Sequence, residues 1–365
     1  MRPHPPSSWV RVAVIEGVQE ATLSIKGPFQ VVTLETGEVL NEGHSLKNVP
    51  VRPAPAGLRV GDTSYRFNAL RILADKTKGV VVNGRSYRGH LEIFREKDET
   101  LTVVNRVGIE EYIYGVLRHE IAPWWPDEAI KAQAVAVRTY AAYQRSIREK
   151  EDYDVTGDVM SQVYGGAKGE TWKIRRASQA TWGEVLKWKG GLLPAYYSST
   201  CGGHTEAATE VWGDQQAPLV GRDCEFCTVS KHYSWRREIA ADLVQKKLRW
   251  RGLDIGPIEE LKILERTVSG RVKSVQVVHG RGKTVLKGHE FRMHVGPDLV
   301  RSTLFNVYRE GDHFVLSGRG WGHGVGMCQW GAYTQARRGT RYSDILSFYY
   351  PGAAIELLEP KPQPN

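Results

Sequence analysis

Glu120 is the residue of this chain whose surroundings point most directly to chemistry. It closes the series Ile113, Val116, Leu117, Glu120, spaced i, i+3, i+4 and i+7, which is one face of a helix. A carboxyl group on an apolar face is either paired or placed there to react. Ile121, Pro123, Trp124 and Trp125 follow at once. An apolar, aromatic surround disfavours the charged form of a carboxyl and raises its pKa. An acid still protonated near neutral pH can give its proton to a leaving oxygen, as a glutamic acid against a tryptophan does in lysozyme. The competing reading is a structural glutamate, ion-paired with Arg118 or Arg138. Glu110 and Glu111, and Asp127 and Glu128 after Pro126, suit the first turns of two helices, where negative charge meets the helix dipole.

A second group of reactive residue types lies further on. Cys201 and His204 form a C-x2-H pair, and Cys224 and Cys227 a C-x2-C pair. Two such clips across a loop suit tetrahedral zinc, closed by four protein ligands and therefore structural. Asp223 and His232 are alternative fourth ligands. A disulfide, with Cys328 pairing the odd thiol, and free buried thiols are the other readings. Gly318 to Gly331 then carries six glycines in GRGWGHGVGMCQWGA. It lacks the Lys-Ser/Thr ending of a phosphate loop. Its glycines suit tight turns beside a ligand or another segment. His323 reads as a structural or substrate-orienting group, and Cys328 as packed rather than reactive.

These residues need elements to hold them. Residues 9–107 are β-rich: short runs of β-branched residues separated by turn residues. Residues 108–143 read as two helices joined at the Pro- and Trp-rich elbow. The second is Ala-rich, which lets it pack centrally. A helix over about 171–181 and a hairpin around a Gly-Gly turn follow. Residues 235–310 read as a subdomain, with helices at ADLVQKKLRW and HEFRMHVG and strands between. The expected class is α+β, mainly antiparallel sheet with a central helix pair forming a cleft, plus a smaller α/β insertion subdomain. The expected regions are 9–107, a core of 108–234 with 311–356, the 235–310 subdomain, and a disordered tail at 357–365.

The chain has 365 residues and a formal charge of +9, which suits an anionic partner. The charge is scattered, and no zinc-finger array, basic heptad helix or aromatic RNA-binding signature is present, so no nucleic-acid partner is expected. No apolar run is long enough for a transmembrane helix. The N-terminus lacks an apolar signal region, so any leader or anchor is expected to be absent from this chain.

The stretch EEYIYGVLRHEIAPWWPDEAIKAQAVAVRTYA closely resembles the signature of the SpoIID/LytB family. SQVYGG, YYSSTCGGHTEAATEVWG and GRGWGHGVGMCQWGA resemble further stretches of that family, in the same order. The resemblance spans about residues 9–356. It implies action on bacterial peptidoglycan: a lytic transglycosylase cutting the bond between N-acetylmuramic acid and N-acetylglucosamine in peptide-stripped strands, with Glu120 as the acid and base. It also implies a structural zinc site in the region of Cys201, His204, Cys224 and Cys227, and an extracytoplasmic location such as periplasm, cell wall or intermembrane space. The LytB members imply an alternative, a glycan-binding enhancer of a cell-wall amidase. Lys131, Arg138, Gln162, Tyr164, Tyr197 and His323 are expected at the substrate by motif membership. No cofactor is expected to take part in the chemistry.

Overall fold

The computed structural model describes residues 9–75, 79–158, 161–168 and 170–358. Residues 359–365, most of the expected disordered tail, lie outside the described residues. The fold is α+β with mainly antiparallel sheets. The chain divides into two compact units. One holds the N-terminal part up to Pro194 together with the C-terminal stretch from Ile355; the other runs from Ala195 to Ala354.

The first unit is built on an eleven-stranded sheet. Its strands alternate because a strand's side chains point to opposite faces. In Ala69–Ala74 every second residue (Leu70, Ile72, Ala74) is buried. Leu101–Gly108 is an exception, buried at all but one position, as a strand covered on both faces must be. It runs straight into helix α1, Ile109–Glu120, which α2, Asp127–Ile147, follows after the elbow. Ile113, Val116 and Leu117 are fully buried, as their spacing predicts. In α2, Ala129, Ala132, Ala134, Ala136, Ala141 and Ala142 are all buried, so the small side chains bring this helix into the centre of its unit. Helix α3, Trp172–Ala180, starts at Thr171, whose hydroxyl accepts from the Ile174 N–H. The hairpin after it pairs Trp188 with Gly191, so its turn residues are Lys189 and Gly190, both at positive φ.

The second unit carries two three-stranded antiparallel sheets. One joins Ser234–Ala240, His313–Arg319 and Phe305–Glu310; the other joins Ile258–Arg266, Val272–His279 and Gly282–Lys287. Helices Ala241–Trp250 and Gly288–Val295 pack with them around Leu248, Val275, Val277, Phe291 and Phe314. The short parallel pairing of Tyr197–Ser198 with Met327–Cys328 joins the start of this unit to its glycine-rich segment. Among the described residues, no helix is long and apolar enough to cross a membrane.

Candidate active site

Glu120 is the last residue of α1 and is half-buried. Its surroundings are set by how closely loop 161–166 lies against the helix. A Cβ on Gly115 would stand 2.5 Å from the Tyr164 ring and 2.7 Å from the Gly166 carbonyl oxygen. A Cβ on Gly165 would run into the His119 ring. Glycine at both positions therefore lets the loop reach the helix, and the Val163 N–H donates to Glu120 Oε1 at 3.3 Å. Trp125 and Ile121 are buried beside the chain turn, while Trp124 is 62% exposed. The elbow thus splits its two tryptophans between the interior and solvent.

The structure corrects three of the expected substrate contacts. Arg138 is fully buried: Nε and Nη2 donate to the two oxygens of Glu110 at 2.7 and 2.8 Å, and Nη1 donates to the Glu184 carbonyl. Glu110 also accepts from the Gly183 N–H. Burying a charge is tolerated only with this kind of full pairing. Glu110 is therefore a structural partner rather than a mere helix-dipole charge, and Arg138 is no candidate for Glu120. Gln162 is buried and accepts from the Tyr112 hydroxyl at 2.9 Å. Tyr164 is buried, donates to Asn105 Oδ1 at 2.9 Å and packs on the Tyr112 ring. These two residues seat the loop that holds Val163. Lys131 is half-buried and pairs with Glu128 at 2.6 Å. Tyr197, also half-buried, belongs to the second unit.

His323 belongs to the second unit as well. Its Nδ1 accepts from the Val325 N–H at 3.0 Å, and the ring also bonds to the Tyr197 backbone. Desolvation, then the Arg292 cation and His289, lower its pKa to about 3. The ring is neutral at ordinary pH, with Nδ1 engaged as an acceptor. It packs against Trp212 and Tyr196.

The cysteine cluster differs from the expected ligand set in one member. Cys201, Cys224, Cys227 and Cys328 are buried, with their sulfurs all within 4.8 Å of one another. His204 is elsewhere: Nδ1 bonds to the Thr205 carbonyl and Nε2 faces Asp223 at 3.8 Å. His232 stacks edge-on against Trp321. All four cysteines are free thiols. Thiolates about 2.3 Å from a tetrahedral metal stand about 3.8 Å apart, and Cys201 and Cys227 are already 3.5 Å apart. Four buried cysteines thus lie where they could hold a metal ion. The surroundings fit a cluster of negative charge. The Cys201 N–H points to Cys328 Sγ at 3.2 Å, the Tyr349 hydroxyl lies 3.2 Å from Cys224 Sγ, and the fully buried Arg271 donates to the Cys201 and His204 carbonyls.

A family model described as a stage II sporulation protein matches residues 97–188, which include both helices of the elbow. A stage II sporulation protein D of Bacillus subtilis is 30% identical, over 69% of this chain and 75% of its own length. The chain belongs to the SpoIID family. A second model, for a domain of unknown function, matches residues 221–326; it includes Cys224 and Cys227 and stops short of Cys328. An uncharacterised protein of Brachyspira hyodysenteriae is 32% identical over 95% of this chain and 92% of its own length. A Bacillus subtilis protein named amidase enhancer is 31% identical over 66% of this chain, which spans 40% of that protein's length.

Proposed function

We propose that this SpoIID-family protein acts on the bacterial cell wall as a lytic transglycosylase. Glu120 protonates the glycosidic oxygen between N-acetylmuramic acid and N-acetylglucosamine, and the bond to the anomeric carbon breaks. The muramyl 6-hydroxyl attacks that carbon, and its proton passes to the Glu120 carboxylate. One strand then ends in 1,6-anhydromuramic acid, and the acid is restored. A single carboxyl suffices because the nucleophile belongs to the substrate, unlike the two-carboxylate glycosidases. The observation that carries this reading is the state of Glu120: half-buried, at a helix end, with a backbone donor on one oxygen. Lys131, Tyr197 and His323 remain the candidates for substrate contact or orientation.

The test uses peptide-stripped glycan strands and mass spectrometry. Wild type is expected to yield anhydro-ended fragments and Glu120→Gln none; equal yields from both would remove Glu120 from the chemistry. The second reading, a glycan-binding enhancer of an amidase, is favoured by the relative that carries that name. Stimulation of an amidase without strand cleavage by either protein would establish it. Either role places the protein outside the cytoplasm.

We further propose that Cys201, Cys224, Cys227 and Cys328 hold a structural zinc ion. A closed set of four thiolates leaves no position for a substrate or water. About one zinc per chain is expected by elemental analysis. Cys328→Ser should lower that content, whereas His204→Ala should retain it; the reverse pattern would restore His204 as the ligand.

A further inference from the structure

Four exposed tryptophans of the described chain differ in how they are held. Arg176 lies over the Trp172 ring at 4.4 Å, and Arg251 over the Trp250 ring at 4.8 Å. Trp124 meets Trp125 edge-on. Trp212 is 41% exposed and is built in differently. Its ring stacks on Tyr196 at 4.3 Å with 29° between planes. His323 packs edge-on against it at 4.9 Å, and His289 at 6.1 Å. Tyr196 therefore covers one face of the indole, two histidines meet the ring edge-on, and 41% of the residue stays exposed.

The support beneath it is fixed in turn. The Tyr196 hydroxyl donates to Asp214 Oδ2 at 2.7 Å. The Tyr196 carbonyl accepts from the Tyr350 hydroxyl at 2.7 Å and from the Met327 N–H at 3.1 Å. His323 is held by Val325 and the Tyr197 backbone. A ring this constrained loses little freedom when a ligand covers it. A rigidly held, partly exposed indole matches a pyranose. The sugar's C–H face packs on the exposed aromatic surface.

We propose that Trp212, backed by Tyr196, whose hydroxyl Asp214 holds, is a saccharide-binding platform of the second unit, taking an N-acetylated sugar ring of a glycan strand. The proposal deepens the glycan reading above and rests on it for the ligand class. It does not depend on Glu120 performing the cleavage.

The test measures binding separately from cleavage. Peptide-stripped glycan strands are titrated by calorimetry into the full chain carrying Glu120→Gln, so that no strand is cut. Three further substitutions are then added singly: Trp212→Ala, Trp212→Phe and, as an exposed tryptophan outside the platform, Trp250→Ala. Trp212→Ala is expected to weaken binding about tenfold or more, the scale of one aromatic contact (about 1.4 kcal/mol). Trp212→Phe should recover most of it, and Trp250→Ala should bind as the parent does. Thermal melts establish that each variant is folded. A folded Trp212→Ala protein that binds as tightly as its parent overturns the platform. So does the absence of any binding by the parent, which also removes the glycan reading. Loss of binding in Trp212→Ala together with full cleavage by Glu120→Gln alone would keep the platform and overturn the catalytic role.

Discussion

Helix α1 carries a carboxylate near its beginning and another at its end, and they have opposite surroundings. Glu110 is 6% exposed, both oxygens are claimed by Arg138, and the Gly183 N–H adds a third donor. Glu120 is half-buried and accepts from the Val163 N–H at 3.3 Å on Oε1. A fully paired, buried carboxylate has no proton to offer and no way to approach a ligand. A partly open one at a helix end can do both. The same side chain on the same helix is thus a brace at one end and a candidate acid at the other. The strongest way to break this contrast is to neutralise each end. Glu120→Gln is expected to lower strand cleavage by about 10²–10⁴-fold, the usual reach of a general acid, with thermal stability unchanged. Mass spectrometry of the digest and a melting curve read both. A large loss of stability would mean that Glu120 is also structural.

Glu110→Gln should behave in the opposite way. It leaves the Arg138 guanidinium buried without its counter-charge, which costs about 3–5 kcal/mol. Chemical denaturation should show that loss, and cleavage per folded molecule should change little. Replacing both partners, Glu110→Leu with Arg138→Met, should recover most of the stability, since an apolar pair leaves no buried charge. A double variant as unstable as the single one would mean that the Gly183 and Glu184 backbone contacts carry the effect.

The contrast was only half visible in the sequence. The apolar stripe and the Ala-rich second helix are local patterns of period 3.6, and the structure keeps both. The Glu110–Arg138 pair joins residues 28 positions apart on two helices, and no local spacing reports it. Cys328 is hidden for the same reason, being 127 residues from Cys201. The C-x2-C clip is readable because both members sit on one short turn. Its completing sulfur arrives through the parallel pairing of Tyr197–Ser198 with Met327–Cys328. Gln162 and Tyr164 misled in another way. Motif membership places them at the substrate, yet Tyr112 and Asn105 supply hydrogen bonds that make their burial possible.

A finer test of the open end concerns the loop that reaches it. Gly115→Ala puts a methyl group where the Tyr164 ring and the Gly166 carbonyl now stand. Overpacking of this kind costs about 1–3 kcal/mol. The loop must shift, and the Val163 N–H shifts with it. Cleavage should fall by about tenfold, the equivalent of about 1.4 kcal/mol in the barrier. Gly115 lies inside α1 and not at positive φ, so the effect comes from the clash; Gly190→Ala, on a turn with nothing within 4 Å of the added carbon, should leave cleavage unchanged. Equal activities would detach Val163 from the site.

The smallest expected effect lies in the second unit and depends on pH. His323 is held at a pKa of about 3 by desolvation and by the nearby Arg292, His289 and Arg271, and His289 at about 4 by desolvation and Arg292. In the unfolded chain these rings take up protons near pH 6.5. Between pH 6.5 and the folded values, the unfolded state therefore binds more protons, and stability falls as the pH falls. The contribution is complete above pH 6.5. At pH 5.5 the loss is about 1.4 kcal/mol for each ring, or about 2–4 °C per kcal/mol in a unit of this size. His323→Gln leaves an oxygen that can accept from Val325 and removes the titration. Melting curves at pH 7.5 and 5.5 should show a smaller drop for the variant than for wild type, although the variant starts lower. Equal drops in the two proteins would assign the acid sensitivity to His289, to His232, whose pKa desolvation also lowers to about 4, or to other groups.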